Sequence, residues 1–334
     1  MFEFLFILNV FLIIFFNKFS RFINLFDNPD NNRKLHKKPI ASIGGFLIFL
    51  NLFIYFIFVQ YKYFYLNLTS FNFNNSDFLI FFIFLTFFFI SGLVDDKFNL
   101  NANFKLVLFS FIIFLLLFLS EDLLLYYLKF SFLQNSININ FIALPFLIFC
   151  FLLYLNAFNM FDGINLQSSL YSINIFSIFI LKGIFIDISI VMILSLLFFS
   201  YLNFKNKCFL GNNGSLLIAF VISYLFVKSQ NTDNPFFADE IFLAMQVPGL
   251  DLFRLAIQRI YNKKHPFHSD RNHIHHLLLK KLGYTKTVFI VSGIIIIPNY
   301  LSNLFGQTIY YIILTMFMYG VIIFKFNNRI IYLK

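Results

Sequence analysis

The sequence predicts an all-α integral membrane protein: a polytopic bundle of about eleven transmembrane helices, N-terminus outside and C-terminus inside. Three observations carry that expectation. Of 334 residues, 60% are hydrophobic and only 12% charged, about half the roughly 25% charge of a soluble domain. Apolar runs long enough to cross about 30 Å of hydrocarbon recur along the whole chain. Lys and Arg fall almost entirely on alternate connections between those runs. Residues 1–334 are read as a single polytopic domain.

The runs lie near 2–17, 43–61, 78–94, 104–120, 141–158, 168–182, 184–202, 214–228, 239–258, 287–304 and 307–325. The sixth is the weakest, and Pro248 and Gly249 interrupt the ninth. The first has no basic residues before it and no small-residue cleavage site after it. It reads as a retained span rather than a signal peptide.

Orientation follows from the cations. The first, third, seventh and ninth connections and the tail hold 20 of the 25 Lys and Arg residues, and the even connections hold only Lys62, Lys129, Lys182 and Lys228. The odd connections are therefore expected to be cytoplasmic. An outside N-terminus and an inside C-terminus require an odd number of spans, which eleven satisfies. The unusual polar segments all fall on that side, within 18–42, 95–104, 156–167, 203–214 and 259–286.

The densest of these runs from Arg259 to Tyr284 and holds five of the six histidines. His273, His275 and His276 form an H-x-H-H cluster beside Arg271. Arg, Lys and protonated His donate hydrogen bonds to phosphate, so an anionic partner is expected. On a helix His273 and His276 would share a face while His275 would not. With no Cys or fourth ligand nearby, zinc is disfavoured. Cys150 and Cys208 stand alone, without the spacing of a disulfide framework or a zinc site. No basic stripe is interleaved with aromatics, so nothing argues for nucleic acid.

Asp95 and Asp96 end the third run. Adjacent carboxylates at a membrane boundary repel each other, which suggests a cation or proton role. As a plain helix stop they would oppose the macrodipole. Asn156, Asn159 and Asp162 recur at every third residue before Gly163. If helical they share a face, and their hard oxygens suit Mg²⁺ or a polar substrate. Gly211-Asn212-Asn213-Gly214-Ser215 opens the eighth run, where backbone N–H groups at a helix start can meet phosphate.

These motifs, in this order, resemble the polyprenyl-phosphate N-acetylhexosamine-1-phosphate transferases (glycosyltransferase family 4). The quoted segments are Asp95-Asp96, Asn-Ala-Phe-Asn-Met-Phe-Asp-Gly at 156–163, Phe-Leu-Gly-x-x-Gly-Ser at 209–215 and Ser-Asp-Arg-Asn-His-Ile-His-His at 269–276. The first connection adds Arg33, His36, Pro39 and Gly44-Gly45, and the match runs from about residue 25 to 283. The H-x-H-H form is similar to the branch that uses UDP-GlcNAc. Three positions depart from the family pattern. Asn212 stands where the family has a metal-ligand Asp. Asn165-Leu166 stands for Asp-Gly, and Ala41-Ser42 for Pro-Arg.

The resemblance implies transfer of N-acetylhexosamine 1-phosphate, GlcNAc-1-phosphate above all, from a UDP-sugar to polyprenyl (undecaprenyl) phosphate, with release of UMP. The expected cofactor is Mg²⁺, with Mn²⁺ as substitute, held by Asn159, Asp162 and Asn212. Asp95, Asp96, Asp162, His273, His275 and His276 are the expected catalytic residues. Arg33, His36, Asn156, Asn165, Arg271, Gly211 and Gly214 are the expected substrate contacts. The expected location is the bacterial inner membrane, multi-pass, with a cytoplasmic site and a homodimer as candidate assembly. The alternatives are a membrane transporter, which would place ionisable residues near the midplane, and a homologue that binds polyprenyl phosphate without turnover.

Overall fold

The computed structural model describes residues 1–29, 38–66, 74–264 and 272–326. The chain starts with α1 (Phe2–Ile14), α2 (Phe16–Ile23), β1 (Phe26–Asp27), β2 (Ile40–Ala41), α3 (Gly44–Leu66), α4 (Asn75–Phe98) and α5 (Ala102–Leu119). It continues with β3 (Tyr127–Leu128), β4 (Ile137–Asn138), α6 (Ala143–Phe161), α7 (Gln167–Leu181), α8 (Ile186–Phe204) and α9 (Gly211–Lys228). It ends with α10 (Ala238–Tyr261), α11 (Ile274–Leu282), α12 (Tyr284–Phe305) and α13 (Thr308–Phe326).

Each of the eleven predicted runs falls on a helix or on the bent pair α1–α2. Eight helices are long and apolar enough to cross a membrane, and the bent pair counted as one span makes nine. The other two runs are α7, only 15 residues long, and α10, which holds Pro248, Asp251 and Arg254 in its interior. Both still run from one end of the bundle to the other. Gln167 begins α7 beside His275, while Lys182 just past its end pairs with Glu240 at the start of α10.

Polarity explains the 80° bend between α1 and α2. The first helix is almost wholly apolar, whereas the second carries Asn17, Lys18 and Arg21. Such a segment is more stable lying along the interface than crossing hydrocarbon. Within the bundle, Asn9 and Asn51 exchange side-chain hydrogen bonds at 2.7 and 3.1 Å, fastening α1 to α3. At the end of the bundle away from the polar motifs, Lys228 is buried between Asp77 and Asp122.

The bundle is built around α9, which is buried along its whole length from Asn213 to Lys228. Two neighbours reach its first turn closely because they offer no side chain there. A Cβ on Gly45 of α3 would lie 2.2 Å from Gly214 N, and one on Gly92 of α4 would lie 2.4 Å from Asn213 Cα. Small residues are the usual device where membrane helices approach this closely. The strand pair β1–β2 then lays the chain alongside α9's entry: Phe209 N donates to Ala41 O at 2.8 Å, and Gly44 N to Phe209 O at 3.0 Å.

The contact predicts a position-specific cost. Gly92→Ala should lower the melting temperature in detergent, because the added methyl meets backbone that cannot yield. Gly320→Ala, where nothing lies within 4 Å, should be neutral or slightly stabilising, since Ala favours helix by about 1 kcal/mol over Gly. Equal melting temperatures for the two variants would refute the packing role.

Candidate active site

The polar motifs meet at one end of the bundle, around a cavity of about 810 Å³. The ends of α4, α6, α8 and α10 and the starts of α5, α9 and α11 line it. Asp95, Asp96, Asn156, Asn159, Asp162 and Asn165 are on its wall, as are Gly211, Asn212 and all three histidines of the cluster. Arg33, His36 and Arg271 lie outside the described residues.

Asp96 faces the start of α9. Its Oδ1 accepts from Asn212 N at 2.8 Å, and its Oδ2 from Asn213 N at 3.0 Å and Asn213 Nδ2 at 2.5 Å. The first turn of a helix has N–H groups without intrahelical acceptors and a positive dipole end. A carboxylate from another helix satisfies both. The two N–H groups expected to meet phosphate are therefore taken by Asp96. Gly211, on the cavity wall, and Gly214 also have a packing part. Gly211 has φ +75°, and a Cβ on it would lie 2.6 Å from Ser42 Oγ; Gly214 sits under Gly45. Both serve close packing.

Asp95 is buried and also engaged. Leu100 N donates to its Oδ1 at 2.9 Å, and Lys105 Nζ lies 2.6 Å from its Oδ2. Lys105, one of the cations of the third connection, is thus also a cation on the cavity wall. The i, i+10 spacing to Asp95 crosses a helix break, so no periodicity exposes the pair.

The row predicted on one face of α6 does share it. Asn156 Nδ2 donates to its own helix at Leu152 O. Asn159 Nδ2 donates to Asn212 Oδ1 and Ser215 Oγ, both at 2.7 Å. Asp162 caps the helix C-terminus, and one of its oxygens accepts from Ser168 Oγ. Burial pushes the Asp162 pKa up to about 6; the Ser168 hydrogen bond opposes that rise and the Asp96 charge adds to it.

Asn165 is tied to the α8–α9 connection. It donates to Asn203 O at 2.9 Å and Asn206 Oδ1 at 2.7 Å, and Asn203 Oδ1 accepts from Leu166 N at 2.7 Å. Tyr284 OH donates to Asn165 O at 3.1 Å. The predicted substrate contact is thus a loop clamp as well. Asn203 and Asn206 were not legible in the sequence, because nothing local links them to Asn165.

The histidines differ from the helical reading. His273 is not in the helix: it is the N-cap of α11, in extended conformation. Asp251 draws it there, with His273 Nδ1 2.8 Å from Asp251 Oδ2. The His273 and His275 rings are 5.5 Å apart and nearly parallel, and His275 and His276 are 4.3 Å apart. His275 is fully buried. Burial, then its two histidine neighbours, push its pKa well down, so the ring is neutral. Gln167 Nε2 is 3.3 Å from its Nδ1, and a Cβ on Gly163 would lie 2.0 Å from its Nε2. His275 therefore packs against the Asp162-Gly163 turn.

Among the described residues, no three His, Cys, Asp or Glu side chains are grouped to hold a metal ion. The donors on the cavity wall are hard oxygens: the Asp162 carboxylate and the amides of Asn159 and Asn212. That chemistry suits Mg²⁺. A partly buried carboxylate whose charge is disfavoured is also one that a cation would stabilise. The set fits Mg²⁺, with few anionic oxygens of its own.

Leu166 stands at φ +66°, a left-handed conformation costly to a residue with a Cβ. Leu166→Gly should therefore raise stability by about 1 kcal/mol, read as a higher denaturation midpoint; a lower one would mean that Leu166 packing outweighs the strain.

Asp162 supports a second prediction. Its raised pKa means the folded chain holds that proton more tightly than the unfolded chain, so its contribution is greatest in acid and is lost as pH rises through about 6. Without ligand, Asp162→Asn should gain up to about 3 kcal/mol at pH 7.5, and the gain should shrink toward pH 5. A variant less stable than wild type at pH 7.5 would contradict it.

The profile of glycosyl transferase family 4 matches residues 78–230. The chain is 27% identical over 324 residues to the undecaprenyl-phosphate alpha-N-acetylglucosaminyl 1-phosphate transferase of Thermotoga maritima, covering 96% of this chain and 94% of that one. Proteins of the same name from Escherichia coli K12 and Salmonella typhi are 23% and 26% identical, each alignment covering 84% of this chain and 76% of theirs.

Proposed function

We propose that this chain, which is similar to glycosyl transferase family 4 over residues 78–230 and to an undecaprenyl-phosphate alpha-N-acetylglucosaminyl 1-phosphate transferase along most of its length, transfers GlcNAc-1-phosphate from UDP-GlcNAc to undecaprenyl phosphate in this cavity. The observation that carries the proposal is the convergence of five distant polar segments on one cavity at the bundle end. An 810 Å³ volume is within the range of small-molecule sites. A site at the end of the bundle can be reached by a lipid phosphate at the interface and by a soluble nucleotide.

In the reaction, an oxygen of the lipid phosphate bonds to the β-phosphorus of the UDP-sugar, and the bond from that phosphorus to UMP breaks. Both reactants are anions, so positioning and charge stabilisation carry most of the acceleration. The lipid phosphate is a monoester with a second pKa of about 6 and is largely dianionic at neutral pH, so no general base is required. Lys105 and Arg259 supply fixed positive charge on the wall. The Asp96 and Asp95 contacts hold the ends of α4, α5 and α9 in register around the reactants. Asn159, Asp162 and Asn212 would hold Mg²⁺, which when bound draws charge from the pyrophosphate oxygens. The excess of Lys and Arg on alternate connections supports a cytoplasmic cavity in a bacterial inner membrane.

The test is a purified-protein assay with UDP-GlcNAc and undecaprenyl phosphate, scored for UMP and lipid product with and without Mg²⁺. Equal amounts of both products, abolished by chelation, are expected. Asn212 replaces a charged ligand with a neutral amide, so the half-saturating Mg²⁺ should fall as UDP-GlcNAc rises, because the nucleotide provides the missing anionic oxygens. Asn212→Asp should lower the requirement several-fold. No UMP from any UDP-N-acetylhexosamine would overturn the reaction. Superimposable Mg²⁺ curves for wild type and Asn212→Asp would overturn only the ligand role.

A further inference from the structure

The histidine loop rests on a buried polar cluster outside the motifs used so far. Asp251, on α10, is almost wholly buried. Its oxygens accept from His273 Nδ1, Arg254 Nη2 and Tyr319 OH, each at 2.8 Å, and from Ile274 N at 3.2 Å. Arg254 also donates from Nε to Tyr319 OH at 2.8 Å and from Nη2 to Asn272 O at 2.6 Å. Three elements, α10, α11 and α13, are thereby locked together beneath the cavity.

The chemistry of this cluster defines the imidazole. A carboxylate that is already receiving three other donors can only accept, so His273 Nδ1 carries a hydrogen. The ring cannot turn without breaking that bond. Nδ1 is thus committed, and Nε2 is the nitrogen left for the cavity that His273 lines. The neighbouring histidine is different: His275 is neutral and packed under Gly163.

We infer that Asp251 is a positioning residue for the transfer reaction, fixing His273 so that Nε2 meets the departing UMP phosphate, with Arg254 and Tyr319 holding Asp251. The inference rests on the transferase reading. As the bond from the β-phosphorus to UMP breaks, charge grows on the departing oxygen. Held through Nδ1, the ring keeps Nε2 toward that oxygen, and it donates a hydrogen bond there, without proton transfer, when both ring nitrogens carry hydrogen. The titratable groups against the ring are Asp251 from α10 and His275 and His276 from α11; Arg254 from α10 and Tyr319 from α13 stand behind Asp251. An outer partner that orients a histidine usually changes activity by about 10- to 100-fold when removed.

The experiment is a double-mutant cycle in the UDP-GlcNAc assay, with kcat and KM separated. Asp251→Asn should lower kcat by about 10- to 100-fold with little change in KM for UDP-GlcNAc. Tyr319→Phe, a milder change that keeps the ring, should lower it by about 2- to 10-fold. In a His273→Gln background neither substitution should have a further effect. Independent, multiplying losses would overturn the proposal, as would full activity of Asp251→Asn. Melting temperatures show whether each variant folds, and Tyr319→Phe preserves the test if Asp251→Asn does not. If wild type itself releases no UMP, the transferase reading fails. The positioning claim is then judged by imidazole ¹⁵N shifts, with His273 assigned from His273→Gln: a proton on Nδ1 in wild type that moves in Asp251→Asn supports it, and an Nε2–H tautomer in wild type refutes it.

Discussion

The contact on which the rest of this structure depends is that of Asp96 with the first turn of α9. One carboxylate accepts from two backbone N–H groups and one amide of Asn212 and Asn213. The first N–H groups of a helix have no intrahelical acceptor and need such partners. Gly92, one turn earlier on α4, makes the approach feasible, and Gly45 does the same from α3. With α9 anchored there, Asn212 and Ser215 lie within hydrogen-bond distance of Asn159, and the wall of the cavity is defined.

The same principle recurs around the site. Several polar residues that a motif reading assigns to ligands first satisfy the protein's own buried groups. Asp95 holds Leu100 N and Lys105, and Asn165 holds the α8–α9 connection; outside the motifs, Asp251 likewise holds the start of α11. Asp162 is the exception. Ser168 engages one of its oxygens, and burial makes its charge costly. That is the expected state of a residue kept for a cation or substrate, since functional sites commonly sacrifice stability. The acids sit at the bundle end instead of the midplane, which disfavours the transporter alternative.

Much of this was legible in the sequence. Long apolar runs mark helices because each must bury or shield its backbone in hydrocarbon, so all eleven runs coincide with helical segments. Motif residues were legible as cavity residues because polar side chains clustered at span ends are rare in so apolar a chain. What was hidden is long-range or irregular. The short α11 and the bend after Ile14 interrupt the run of long helices, the bend because α2 turns polar at Asn17, Lys18 and Arg21. The His273 N-cap could not be foreseen, since Asp251 lies 22 residues away. Helical spacing assigned His273 and His276 a common face, and the cap removed His273 from the helix altogether. Asn203 and Ser168 carried no local signal.

Asp96 serves first as the cap of α9. Amide hydrogen exchange of the ligand-free protein, with neither nucleotide nor divalent cation present, tests it most directly. In Asp96→Ala the amides of Asn212 and Asn213 should exchange much faster than in wild type, and the melting temperature should fall, by the loss of an N-cap worth about 1–2 kcal/mol. Unchanged protection of those two amides, with stability equal to or above wild type, would contradict the claim and return Asp96 to the substrates alone.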